Sequence, residues 1–345
     1  MVGPEPRAKK ILVIKLGASG DVLRTTPILA GLKRKYPQSF ITWLTRKESL
    51  DLLKNNHLIS RLLSYSPAAL TRLKSEYFDT LISLDKEDEA TTLAMEVSAK
   101  RKIGFGLDTK TGKLAPLNKE SRYAYKLGIC DELKFRVNKK TYPEIIFEMA
   151  SLKYQRDEYI LNLGDNDKAY AKRLLSKIGL KPTDLIIGLN TGAGYRFANK
   201  AWTPDGFVEL IRLIRANTRA KPLLLGGPQE VRRNAGILSR TGNLGYDAGC
   251  AHTLGQFAAI VNFCPLVVSG DTTAMHIAIA LKKKVVALFG STCVQEIELY
   301  GRGKKIFPDI KCRPCYKQEC AKKINCMNSI RPVEVFQAIQ GLLPR

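Results

Sequence analysis

Short apolar runs separated by helix-length amphipathic stretches fill this chain almost from end to end. In the first half the runs fall at 10–16, 39–45, 58–64, 78–85 and 101–107. They are continuous rather than alternating, which is the pattern of strands buried on both faces of a parallel sheet. Between them, Val22 to Tyr36 and Asp88 to Ala99 carry apolar residues at helical spacing, with Pro27 in the first turns of the earlier helix and Pro37 ending it. A helical pattern follows from Lys140 to Lys153, then a polar, charged passage, Tyr154 to Asp167, that marks a crossing into a second unit. The pattern restarts with strands at 185–190, 221–227, 266–270 and 284–290. Helices are predicted over Pro204 to Ala216, Gln229 to Arg240, Thr253 to Phe263, Thr272 to Leu281 and Pro332 to Leu343. Repeated βαβ units of this kind predict an α/β protein of two Rossmann-like domains, 1–160 and 161–345, facing each other across a cleft.

Length agrees with two cores, since 345 residues exceed what one ordinary domain uses. No run of about 18 apolar residues occurs, and the N-terminus lacks the apolar stretch of a signal peptide, so a cytoplasmic protein without a membrane span is expected. Charge changes the picture more. With 56 Lys and Arg against 32 Asp and Glu, the net charge is +24, beyond what solubility needs, and it predicts attraction to a polyanion: nucleic acid, anionic lipid or phosphorylated glycan. The stretch from Glu96 to Lys140 is especially basic, with Phe105, Tyr123, Tyr125 and Phe135 interleaved; it reads equally as a solvated surface and as a docking face.

In open α/β sheets ligands collect beyond the carboxyl ends of the strands, so the turns there hold the candidate chemistry. The first strand runs into Gly17-Ala18-Ser19-Gly20-Asp21, which lacks the third glycine of a dinucleotide fingerprint and the Gly-Lys-Ser/Thr of a P-loop. Asp21 alone would read as a helix cap, but Arg24 and Thr25 one turn on set a guanidinium beside the carboxylate. In the second half, Asn190-Thr191-Gly192-Ala193-Gly194-Tyr195 is a small-residue turn whose amides can point at an anion, and Lys200, just before the Thr203-Pro204 helix start, would add a full positive charge. Asp271-Thr272-Thr273 opens a helix whose N-terminal amides suit a diphosphate. There Asp271 either caps the helix or accepts a hydroxyl proton from a ligand, while Thr272 and Thr273 face the anion. His276, as a lone helical histidine, reads more often as structural than as a ligand. Gly290-Ser291-Thr292 forms a further polar turn on the same edge.

Taken in order, these segments resemble glycosyltransferase family 9, the heptosyltransferases of lipopolysaccharide core assembly, and most closely the second-heptosyltransferase type. Gly20-Asp21-Val22-Leu23-Arg24-Thr25-Thr26-Pro27 is similar to the family's opening motif, Lys200-Ala201-Trp202 to its Lys-x-Trp, and Gly226-Gly227-Pro228-Gln229-Glu230 to its glycine turn with a following Glu. Asp271 to His276, ahead of Phe289-Gly290, is similar to its Asp-Thr-Gly-x-x-His signature, except that Thr273 stands where the family usually has Gly. The resemblance implies a GT-B fold and an inverting transfer of heptose from an ADP-linked donor to an inner-core acceptor, with no catalytic metal or other cofactor. It implies Asp21 as general base, with Gly20 and Arg24 on the acceptor side. Asn190, Thr191, Gly192, Lys200, Glu230, Asp271, Thr272, Thr273 and His276 would then serve the donor. The expected partners are an ADP-sugar and an anionic glycolipid, reached by peripheral contact at the cytoplasmic face of the inner membrane.

Cysteines form a second constellation. Cys130, Cys250, Cys264 and Cys293 are scattered and read as small hydrophobes. Cys312, Cys315, Cys320 and Cys326 have ligand-like spacing for a structural zinc or an iron-sulfur cluster, ahead of free thiols and then disulfides. A non-catalytic protein binding nucleic acid or another polyanion would explain the charge and the cysteines but not the ordered turn motifs, so no nucleic-acid partner is expected. A transferase using another nucleotide sugar is the nearer alternative, because of Thr273.

Overall fold

The computed structural model describes residues 8–194 and 198–343 and divides the chain into two units, Met1–Asn162 and Leu163–Arg345. The first unit is built on strands β1 (Lys10–Ile14), β2 (Phe40–Thr45), β3 (Arg61–Ser64), β4 (Tyr77–Ser83), β5 (Ser98–Leu107) and β6 (Leu114–Pro116), in the sheet order β3-β2-β1-β4-β5-β6. All pairs are parallel except β5 with β6. Strand β1 registers Ile11 against Ile41 of β2 and against Thr80 of β4. Because side chains alternate across a strand, Ile11 and Val13 enter one core with Ile82, Ile103 and Phe147, while Leu12 and Ile14 enter another with Leu44, Phe78 and Leu81.

The second unit repeats the arrangement with β7 (Ile186–Asn190), β8 (Lys221–Leu225), β9 (Tyr246–Asp247), β10 (Leu266–Gly270), β11 (Lys284–Leu288) and β12 (Gly303–Ile306), in the order β12-β11-β10-β7-β8-β9. Its pairs are parallel throughout. Ile187, Leu189, Leu224, Val268 and Leu288 pack with the helices Pro204–Asn217 and Pro332–Leu342. Thr203 caps the first of these, its side chain accepting from the Gly206 amide at 3.0 Å with Pro204 next in line.

Several boundaries differ from the sequence expectation. The segment Val22 to Tyr36 belongs to two helices, Ser19–Thr25 and Ile28–Lys35, with Pro27 at the N-cap of the second rather than inside the first turns of one. Asp88 to Ala99 shortens to the helix Asp88–Glu96, because β5 begins earlier, at Ser98. The helix Pro67–Ser75 and the edge strands β6, β9 and β12 had no counterpart in the pattern. The expected crossing, Tyr154 to Asp167, is irregular only to Gly164, where the helix Asp165–Lys177 begins.

Candidate functional site

In each sheet the strand order reverses once, between β1 and β4 in the first unit and between β7 and β10 in the second. Crossovers leave in opposite directions from such a point, opening a crevice at the carboxyl edge. Asp21 and Asp85 follow β1 and β4, Asn190 ends β7, and Asp271 follows β10.

In the first unit, Asp21 is not a cap. The helix Ser19–Thr25 has Ala18 at its N-cap, with no side-chain capping bond, and Asp21 lies in the first turn. Arg24 Nη2 stands 2.8 Å from Asp21 Oδ1, and the Arg24 guanidinium lies over the Tyr142 ring at 3.9 Å. Thr25 Oγ1 donates to the Asp21 carbonyl at 2.7 Å and lies 3.0 Å from Tyr142 OH. The Asp21 carboxylate is 36% exposed, open enough to meet a ligand, whereas Gly20 is buried. Sequence reasoning missed Lys15, Asp85 and Tyr142. Lys15 and Asp85 each close an apolar run with a charge, which is the one signal they carry.

In the second unit, three expected site residues come together, Lys200 and Asp271 being 71 residues apart in sequence. Lys200 Nζ donates to Asp271 Oδ2 at 3.2 Å and to the Asp271 carbonyl at 3.4 Å, and His276 Nε2 lies 3.7 Å from Asp271 Oδ1. Lys200 is 17% exposed at its side chain, so it is not a solvated loop lysine. Asp271 does not cap the following helix, Thr273–Ala280. Thr272 holds the N-cap position and makes no side-chain capping bond; its hydroxyl sits 3.0 Å from Ser269 Oγ. The first amides of that helix are thus not bonded by their own cap. Thr273 is half-buried at the first helical position.

Two expected donor contacts point inward instead. Asn190 Nδ2 bonds Gly192 O at 2.9 Å and reaches Ser269 and Thr272 at 3.3 Å, tying the two turns together. Thr191 is fully buried, donating to Asn234 Oδ1 at 2.6 Å. Glu230 accepts from the Gly227 amide at 2.8 Å and lies against Gly192, where a Cβ would stand 2.0 Å from Glu230 Oε1. Tyr195, at the end of the expected turn, lies outside the described residues. The Lys200 loop is held from both sides: Trp202 Nε1 donates to Ile330 O at 3.1 Å, and Arg233 donates to Trp202 O. Burial lowers the Arg233 pKa from its ordinary value, with Glu230 opposing.

The four clustered cysteines are the second constellation the sequence singled out. Among the described residues no group of three or more His, Cys, Asp or Glu is gathered to hold a metal ion, and all eight cysteines are free thiols. Cys312 and Cys320 are exposed, Cys315 and Cys326 half-buried, on a segment without regular structure. Burial raises the Cys326 pKa, with Cys315 adding to it. The segment packs on the turn Gly290-Ser291-Thr292: Cys315 N donates to Ser291 O at 3.0 Å, and Cys326 Sγ abuts Gly290.

The family model described as Glycosyltransferase family 9 (heptosyltransferase) matches residues 68–325. The chain is 21% identical over 294 residues to the lipopolysaccharide core heptosyltransferase OpsX of Haemophilus influenzae, covering 81% of this chain and 79% of that protein. Among solved structures it is similar to a glycosyl transferase family 9 protein of Veillonella parvula, with TM-score 0.79, 19% identity and 97% of each chain covered. It is also similar to the E. coli ADP-heptose lps heptosyltransferase II, with TM-score 0.69 and 17% identity, covering 96% of this chain and 98% of that one. These likenesses show the GT-B fold, two Rossmann-like domains with parallel sheets.

Proposed function

The chain belongs to glycosyltransferase family 9, and on that premise we propose that it transfers heptose from ADP-heptose to an inner-core acceptor of lipopolysaccharide, with inversion at the anomeric carbon. The observation that carries the reading is the meeting of Lys200, Asp271 and His276 at a helix start beyond β10, which joins a cation and backbone amides where a diphosphate would lie.

In the proposed step the acceptor hydroxyl oxygen forms a bond to the anomeric carbon as the bond from that carbon to the diphosphate oxygen breaks. Asp21 takes the hydroxyl proton, and the electron pair of the broken bond leaves with ADP. A single displacement of this kind inverts the centre. Negative charge grows on the departing diphosphate, and Lys200 with the amides at Thr273 stabilises it without a catalytic metal. Asp271 fixes the Lys200 ammonium and, with Glu230, offers acceptors to donor hydroxyls. Arg24, 2.8 Å from Asp21, orients the base. The half-buried Thr273 side chain bears on donor choice, so other ADP- and UDP-sugars belong in the same assay.

Among the described residues no helix is long and apolar enough to cross a membrane, and the +24 charge supports peripheral action at an anionic membrane face. The test is turnover with ADP-heptose and a heptose-deficient lipopolysaccharide acceptor. Asp21→Ala should lower kcat by about 10²-fold or more while ADP still binds. Wild-type turnover in that variant removes Asp21 from the mechanism.

A further inference from the structure

Lys15 and Asp85 form an ion pair whose side chains are 6% and 3% exposed. Withdrawing two charges from water is costly, so a pair this deep calls for a reason. Its surroundings supply one. Asp85 accepts from the Leu16 amide and, at 3.1 Å, from the Gly17 amide, while Lys15 Nζ donates to Asp85 and to Leu84 O at 3.3 Å. On the other side, Arg46 Nε donates to Leu16 O at 3.1 Å. The turn leaving β1 is therefore gripped from both sides at the point where the strand order reverses. Gly17 sits at the centre: a Cβ there would stand 3.1 Å from Asp85 Oδ1, 3.4 Å from Lys15 Nζ and 3.6 Å from Asp21 Cβ. The ammonium and the candidate base thus flank one methyl-sized space.

We propose that the Lys15–Asp85 pair is the positioning device of the Asp21 base, fixing the turn that launches its helix and setting a permanent positive charge beside its carboxylate. The proposal rests on Asp21 being the base. Burial acts to lower the Lys15 pKa, but Asp85, then Tyr142 and Asp21, raise it well above that of an ordinary lysine, so the charge persists across the working range. The charged and titratable groups around Asp21 are Arg24 on its own helix, Lys15 after β1, Asp85 and Glu87 after β4, and Tyr142 on the helix Tyr142–Met149. The turn Lys47–Ser49 adds an uncharged contact, Ser49 Oγ to Ser19 Oγ at 2.9 Å.

Lys15→Met removes a cation near Asp21 and leaves the Asp85 anion, which raises the carboxyl pKa of the base. The acid limb of the kcat/KM profile should then move to higher pH, with kcat reduced about tenfold or more and ADP affinity unchanged. Because that variant strands a buried carboxylate, Lys15→Met with Asp85→Asn is made beside it. The double variant should fold, bind ADP as wild type, and keep the loss in kcat with a smaller displacement of the acid limb. A wild-type kcat in the double variant, or an unmoved limb in a folded single variant, overturns the proposal. Asp21→Ala in the same assay separates the two assignments. Full turnover there would remove the base itself, whereas lost turnover there beside a wild-type double variant removes only the pair.

Discussion

Gly192 has no room for a side chain, since a Cβ would press on Glu230 Oε1. Gly192→Ala should displace Glu230 from the Gly227 amide, costing about 1–3 kcal/mol and weakening donor binding, which thermal unfolding and a donor titration would show together. Lys200→Ala should cost about 1.5–3 kcal/mol of ADP binding, roughly a tenfold to 100-fold rise in Kd by calorimetry. An unchanged Kd would remove Lys200 from the diphosphate site. Cys264 is wholly buried, and its thiol is pushed up to about 12 by burial. The folded pKa being raised, stability is complete below the unfolded thiol value, near pH 8.5, and falls as pH rises from there toward 12, by about 1.4 kcal/mol per pH unit. Cys264→Ala should flatten that alkaline decline in denaturant midpoints taken at pH 9 to 11. At this scale the sequence was legible where partners are local: Arg24 three residues from Asp21 read directly. The Lys200–Asp271 contact, 71 residues apart, and the Lys15–Asp85 contact, 70 apart, exist only once the sheets form.

Central strands were legible because burial on both faces demands uninterrupted apolar residues, as in Ile11 to Ile14 and Leu266 to Val268. Edge strands escape the same logic. β9 has two residues and β12 carries Lys304 and Lys305, so neither shows an apolar run. The Thr26-Pro27 break hid because proline suits a helix start, and here it starts a second helix. The helix Leu254–Asn262 opens on a capping box: Thr253 accepts from Gln256 N at 3.2 Å while Gln256 Oε1 accepts from Thr253 N at 3.1 Å. Thr253→Ala should lower stability by about 1 kcal/mol, read as a fall in Tm without loss of ADP affinity.

For the molecule as a whole, the net charge of +24 sets the long-range behaviour. Association with vesicles containing anionic lipid should be strong at low ionic strength and lost by about 1 M salt, where the screening length falls to roughly 3 Å, while neutral vesicles should not bind at all. Salt-insensitive binding would point to apolar insertion instead. The charge was readable from composition, but its target was not, since lipid, glycan and nucleic acid share the same sign. The bond from Trp202 Nε1 to Ile330 O has a practical consequence of another kind. It moors the lysine-bearing loop to a stretch of chain just ahead of the helix Pro332–Leu342, so a deletion reaching back past residue 330 would unfasten that loop. Shortened forms prepared for crystallisation should therefore retain the segment through Ile330 and the helix Pro332–Leu342.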